Sequence, residues 1–251
     1  MLQVNGDDVN QSPIEVSALV LLFCDACVFC TPTIYNLYTL LINTTEIKSA
    51  WRERLLNPGF RIRFLITVIV LVVVLLSLAR FLDYNEELSG FAFNDPLLNL
   101  FNPVDVTWFT FGLIYVSLIV ALVSLSYYPE DFLVALQSYS LVFFFRFCTI
   151  FLLPLDAPAT TISLTDPFVE FFGGGETLHR DLFFSGHVAT MFIFYLTSRN
   201  KNLKKIFLVN TFLVAAAVLI QHVHYTVDVI AAPFFAYSSY KMALYISTYK
   251  K

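Results

Sequence analysis

The hydrophobic positions of this chain fall in long unbroken blocks, without the alternation of a strand or the single stripe of a surface helix. Residues 64–79 (FLITVIVLVVVLLSLA), 106–126 (VTWFTFGLIYVSLIVALVSLS) and 206–227 (IFLVNTFLVAAAVLIQHVHYTV) approach or reach the roughly 20 apolar residues that cross a bilayer as a helix. The gaps between charged residues predict six spans, at about 62–82, 105–127, 131–153, 182–198, 205–223 and 226–247. A further apolar stretch, 16–42, contains Asp25 and is broken by Pro32 after about 15 apolar residues. It reads as an interfacial or re-entrant helix, with a seventh span as the alternative. The expected fold is therefore all-α. A polytopic six-helix transmembrane bundle occupies 60–251, and the extension 1–59 carries the additional N-terminal interfacial or membrane helix.

Composition agrees. Of 251 residues, 58% are hydrophobic and 14% charged, against about 25% charged in a soluble domain. The mean hydropathy is +0.72. The lipid bilayer is the first expected partner, and no nucleic-acid partner is expected. Cys24, Cys27 and Cys30 have a spacing seen in metal sites, but no fourth ligand is evident, so they read as small apolar residues on one helical stripe. Neither a metal nor another cofactor is expected. The polar, acidic N-terminus does not resemble a cleavable signal.

Lys and Arg set the expected orientation. Lys48, Arg52, Arg54, Arg61 and Arg63 precede the first span, Arg199, Lys201, Lys204 and Lys205 join the fourth to the fifth, and Lys250-Lys251 follow the sixth. The loops 83–104 and 154–181 contain only Arg180. Both ends of the six-span set are thus expected in the cytoplasm, with these loops lumenal or exoplasmic. Asn43 in Asn-Thr-Thr then lies on the cytoplasmic side and should be unglycosylated.

This topology returns the chain to one face at two polar stretches, HRDLFFSGHVAT (179–190) and HVHYTVD (222–228). His187, His224 and Asp228 should converge there. His224 and Asp228 are four apart, so on a helix they share a face, and the carboxylate can fix the imidazole tautomer. Such a histidine suits a nucleophile or general base, and His187 opposite it can protonate a leaving alkoxide. Asp181 is placed to orient or charge His187. His222 reads as a supporting group beside the site, and His179 as a solvated loop residue. Arg146, inside the third span, fits either a buried ion pair or a phosphate clamp. Asp166, Glu170 and Glu176 share the exoplasmic loop, and Gly173 to Gly175 read as a hinge.

Asp-x-x-Phe-Ser-Gly-His (Asp181 to His187) and His-x-His-Tyr-Thr-x-Asp-Val-Ile (His222 to Ile230) resemble the two signature blocks of the sphingomyelin synthase family, a branch of the phosphatidic acid phosphatase type 2 superfamily. Three more stretches are similar: FNDPLLNLFNPVDVTWF, the Arg146 to Pro154 segment, and the three glycines. The likeness spans residues 60–247. It implies six spans, cytoplasmic termini and an exoplasmic site without metal. It also implies transfer of a phospho-head group, phosphocholine or phosphoethanolamine, from a glycerophospholipid donor to a ceramide-type acceptor, releasing diacylglycerol. By position His224 attacks phosphorus, Asp228 supports it and His187 protonates the departing diacylglycerol, while Ser185, Gly186, His222, Tyr225 and Arg146 are candidates to contact substrate. The pattern breaks at His179-Arg180, where the family has Cys-Gly, and at Val188. The expected compartment is the Golgi, endoplasmic reticulum or plasma membrane of a eukaryote, or the inner membrane of a bacterium, and a homo-oligomer is compatible with it. Hydrolysis of a phospholipid or lipid phosphate, and head-group exchange between phosphatidylcholine and diacylglycerol, are the alternatives using the same triad. A scramblase, transporter or inactive scaffold leaves these three polar residues without a task.

Overall fold

The computed structural model describes residues 44–164 and 180–248. The expected N-terminal apolar helix, Cys24, Cys27, Cys30, His179, the three glycines, Asp166, Glu170 and Glu176 lie outside them. The chain divides into two units, Met1–Thr44 and Thr45–Lys251, and the second is described here.

Among the described residues the regular elements are helical: α1 (Thr44–Leu56), α2 (Pro58–Glu86), α3 (Thr107–Ser126), α4 (Pro129–Leu152), α5 (Gly186–Thr197), α6 (Lys201–Ile220) and α7 (Thr226–Thr248), with a 3-10 turn at Leu98–Leu100. Helix starts follow local chemistry. The Asn57 side chain accepts from the Gly59 and Phe60 amides at the head of α2, where Pro58 supplies a pre-set φ. Asn200 does the same for α6 through Asn202 and Leu203.

Four helices, α2, α3, α4 and α6, are long and apolar enough to cross a membrane, which marks the chain as a membrane protein. Their large apolar side chains stay exposed, among them Ile62, Leu65, Ile69, Val73 and Leu76 on α2. The fourth expected span is shorter than predicted. α5 has 12 residues, about 18 Å at 1.5 Å per residue, well under the roughly 30 Å of a bilayer core. The predicted extra turn, 182–185, is not helical, because Phe183 and Phe184 turn into an aromatic cluster with Phe235 and Phe184 stacks on that ring at 4.2 Å. α7 has the length but not the apolarity, with Asp228 and the Tyr237–Lys241 run of polar groups.

α4 is central, packing against α2, α3, α5 and α7, while α6 packs against α3 and α5. The interfaces use small and hydroxyl side chains, such as Ser117, Ala121 and Ser138, which let helices approach closely. Polar pairs cross them: Asn210 donates to Ser117 Oγ at 2.9 Å, Gln137 donates to Thr67 at 3.3 Å, and Ser247 donates to Gln137 Oε1 at 2.9 Å. At one end of the bundle Trp51 of α1 donates to the Ser126 carbonyl at 2.8 Å, and Arg54 and Arg63 approach Glu130. The loops at the other end hold the polar residues of interest. Because Gln137 joins α2, α4 and α7, Gln137→Leu should cost about 1 kcal/mol, two interhelical bonds at ~0.6 each, read as a lower melting temperature in detergent.

Candidate active site

The site is built where the chain breaks between α6 and α7. α6 ends in a left-handed turn: His222 has φ 56°, its amide bonds the Leu219 carbonyl at 2.9 Å, and the Val223 amide reaches back to Val218 at 3.0 Å. That pair of bonds is the Schellman ending, in which glycine is the usual turning residue. Neighbouring loops take up the exposed carbonyls. Val104 donates to Ile220 O at 3.0 Å, Ile162 to Gln221 O at 3.1 Å, and Thr161 Oγ1 to His222 O at 2.6 Å. The side chain of Gln221 joins the same two loops, accepting from the Val106 amide at 3.3 Å and donating to Thr107 Oγ1 at 2.8 Å and to the Ser163 carbonyl at 3.4 Å.

His224 therefore precedes α7 and is not on a helix with Asp228, contrary to the expected shared helical face. The two meet through the start of α7 instead. Asp228, at the third helical position, accepts the Tyr225 amide on Oδ2 at 3.0 Å, the backward half of a capping box. The same Oδ2 lies 3.5 Å from His224 Nδ1, within ion-pair reach and longer than a hydrogen bond. Both residues are buried, and Asp228 Oδ1 and His224 Nδ1 have no hydrogen-bond partner among the described residues.

The second block comes from the head of α5. Its N-cap Ser185 donates its amide to the Asp228 carbonyl at 3.2 Å, tying the two polar stretches together. His187, one residue into the helix, packs against Phe111, and its ring centroid lies 6.4 Å from that of His224. The three residues expected to converge do so. Ser185 Oγ is fully buried without a partner among the described residues, and it sits where the first amides of α5 are unsatisfied by the helix. A helix N-terminus with a spare hydroxyl is suited to an anion.

Arg146 reaches the site from α4 and is 2% exposed. Two of its nitrogens hold the segment before His187, through the Asp181 carboxylate and the Phe184 carbonyl, and Nε has no partner among the described residues. Asp181 is thus paired with Arg146. The guanidinium lies against Gly186, where an added Cβ would sit 3.0 Å from its carbon, so glycine here leaves room for the close approach. Tyr225 is occupied too, stacking on Phe93 at 4.0 Å and donating its hydroxyl to the Asp156 carbonyl at 2.9 Å. Arg180 is pinned by Asp156 at 2.5 Å, and its amide donates to Glu86 at 2.7 Å.

Several partners escaped sequence reasoning. Asp95, Asp156, Thr160 and Thr161 are isolated acids or hydroxyls in loops, far in sequence from what they hold. No group of three His, Cys, Asp or Glu side chains with metal-ligand geometry occurs among the described residues.

Residues 180–245 match the family model described as PAP2 superfamily C-terminal. The match takes in both polar stretches and supports a link to that superfamily. No curated protein matches the chain.

His222 Nδ1 lies 2.6 Å from Thr160 Oγ1, and its Nε2 is buried without a partner among the described residues. Burial pushes its pKa below the ordinary 6.5, with the nearby Asp95 carboxylate opposing the shift. The unfolded chain then binds this proton more readily than the folded one. Stability linked to His222 is complete above the unfolded value of 6.5 and is lost as pH falls from there toward the lower folded value. His222→Asn tolerates the left-handed turn, so its melting temperature should fall less than that of the parent protein when both are scanned from pH 7.5 to 5. Parallel curves would show that His222 is not held neutral.

Proposed function

We propose that this protein is a membrane lipid phosphotransferase that moves a phospho-head group from a glycerophospholipid to a ceramide-type alcohol. The observation that carries the reading is the convergence of His187, His224 and Asp228 beside the open N-terminus of α5. The match of residues 180–245 to the PAP2 superfamily model supports the phosphoryl chemistry. The resemblance of the two blocks to sphingomyelin synthases supports transfer over hydrolysis.

In this mechanism His224 carries its proton on Nδ1, toward Asp228, leaving the Nε2 lone pair to attack phosphorus. The phosphate oxygens rest at the head of α5 beside the Ser185 hydroxyl, which has no partner among the described residues. As the N–P bond forms, the P–O bond to glycerol breaks, and His187 gives its proton to the leaving oxygen to complete diacylglycerol. Asp228 stabilises the positive charge on the phosphorylated imidazole. His187, now neutral, takes the proton of the acceptor hydroxyl as that oxygen attacks phosphorus and the P–N bond breaks. Both histidines return to their starting states. Arg146 and Asp181 hold His187 in position, and Tyr225 and His222 anchor the connector that carries His224.

The six helices α2 to α7 are read as the six membrane segments, with α5 and α7 sheltered by their neighbours. The site lies at the end opposite Arg54, Arg63, Arg199 and Lys201, and this charge asymmetry supports an exoplasmic or lumenal site.

The test uses purified full-length protein in liposomes of phosphatidylcholine and phosphatidylethanolamine with a fluorescent ceramide. A ceramide-dependent phosphosphingolipid is expected together with diacylglycerol, and the preferred donor names the head group. His224→Ala should abolish turnover, and Asp228→Asn should lower kcat by about 10³–10⁴-fold while the protein stays folded. Diacylglycerol release indifferent to ceramide would replace transfer with hydrolysis, and turnover surviving in His224→Ala would remove the mechanism.

A further inference from the structure

α7 begins with a problem of unsatisfied donors. The first amides of a helix have no partner within it, and a side chain at the N-cap usually takes one of them. Here the N-cap is Tyr225, whose hydroxyl is turned away to the Asp156 carbonyl. Asp228 takes the Tyr225 amide and leaves that of Thr226 unmet. The missing acceptor comes from 131 positions earlier in the chain: Asp95, in the loop between α2 and α3, accepts the Thr226 amide at 2.6 Å and the Thr226 hydroxyl at 3.0 Å.

The Asp95 carboxylate has little other business. It is 6% exposed, and its other bonds stay within its own turn, from the Leu97 amide at 2.9 Å and from the Leu98 amide. Among the described residues no ion pair neutralises it, so its charge is balanced by hydrogen-bond donors and by the positive end of α7. Burial raises the pKa of this acid, but the bonds from Thr226, Leu97 and Leu98 outweigh it and hold the group below the ordinary 3.8. It therefore stays ionised. The same loop grips the connector a second time, through the stacking of Phe93 on Tyr225.

Thr226 lies midway between His224 and Asp228. Fixing its amide fixes the first turn of α7, and with it the angle at which Asp228 faces the imidazole. We infer that Asp95 is a positioning residue for the His224–Asp228 pair, clamping the head of α7 from the α2–α3 loop so that the carboxylate is aimed at Nδ1. The inference rests on the reading of His224 and Asp228 as catalytic. It assigns Asp95 no contact with substrate. Its printed bonds go to Thr226 at the head of α7 and to its own turn, so the effect belongs to turnover and not to substrate binding.

The test measures kcat and KM of full-length Asp95→Ala and Asp95→Asn in the same liposomes, counting diacylglycerol release from phosphatidylcholine per folded, monodisperse protein. His224→Ala and Asp105→Ala are run alongside. Asp105, exposed at the surface, supplies an ordinary local cap, accepting the Thr107 amide at 2.9 Å at the head of α3. Misaiming a reacting pair costs about 10²-fold in rate, so Asp95→Ala should lose about 100-fold in kcat with KM changed by no more than about two-fold. Asp95→Asn keeps one acceptor for Thr226 and should fall between, at about 10-fold. Asp105→Ala should match the parent protein.

A normal kcat in folded Asp95→Ala would overturn the inference, as would a loss confined to KM or to the yield of folded protein. If Asp95→Ala does not fold, Asp95→Asn decides by the same criteria. Turnover that survives in His224→Ala sinks the catalytic reading itself, whatever the Asp95 variants do. If no donor turns over, hydrogen exchange at the Thr226 amide still tests the clamp: it should speed up in Asp95→Asn and not in Asp105→Ala, and unchanged exchange would contradict it.

Discussion

The break between α6 and α7 is the constraint on which the polar end of this molecule depends. A helix that stops near a bilayer leaves carbonyls with little water to receive them, and the next helix begins with amides in the same state. The loops 88–106 and 154–163 answer both. One supplies the Val104 amide and the Asp95 carboxylate, and the other supplies the Ile162 amide and the Thr161 hydroxyl. His222 adopts the left-handed turn because its carbonyl and its ring are both held by neighbouring threonines. The chemistry grows out of that arrangement. His224 sits in a connector whose ends are tied down, and Asp228 serves at once as a helix cap and as a carboxylate within ion-pair reach of the imidazole.

A second constraint acts from α4. Arg146 is a buried charge, costly unless its donors are met, and it is met by the segment leading to His187. Gly186 completes that fit by leaving room for the guanidinium. The Ser185 amide then bridges to the Asp228 carbonyl, so a backbone bond joins the α5 and α7 halves of the site. Residues read from the sequence as substrate contacts, Arg146 and Tyr225 among them, thus spend most of their polar atoms on architecture.

The long apolar blocks of α2, α3, α4 and α6 were legible because lipid-facing helices must be apolar over many turns. The head of α5 was not, since Leu182, Phe183 and Phe184 carry the same hydropathy whether they face lipid or an aromatic cluster, and only tertiary packing tells these apart. The convergence of His187, His224 and Asp228 could be foreseen from charge-derived topology and chain length. The reason they meet could not: the spacing of four suggested one helix face, whereas the contact is made by a helix cap. Asp95 was silent for a related cause, because a lone acid in a loop does not reveal a partner 131 residues away.

A covalent intermediate on His224 is the claim to which the rest of the functional account is tied. Its most direct measurement is to mix the protein with phosphatidylcholine radiolabelled in the head-group phosphate, without acceptor, quench in alkali and map the labelled peptide. The account predicts acid-labile, alkali-stable label on the peptide containing His224, discharged when ceramide is added before the quench. Label on another residue, or turnover without any labelled protein, would contradict it.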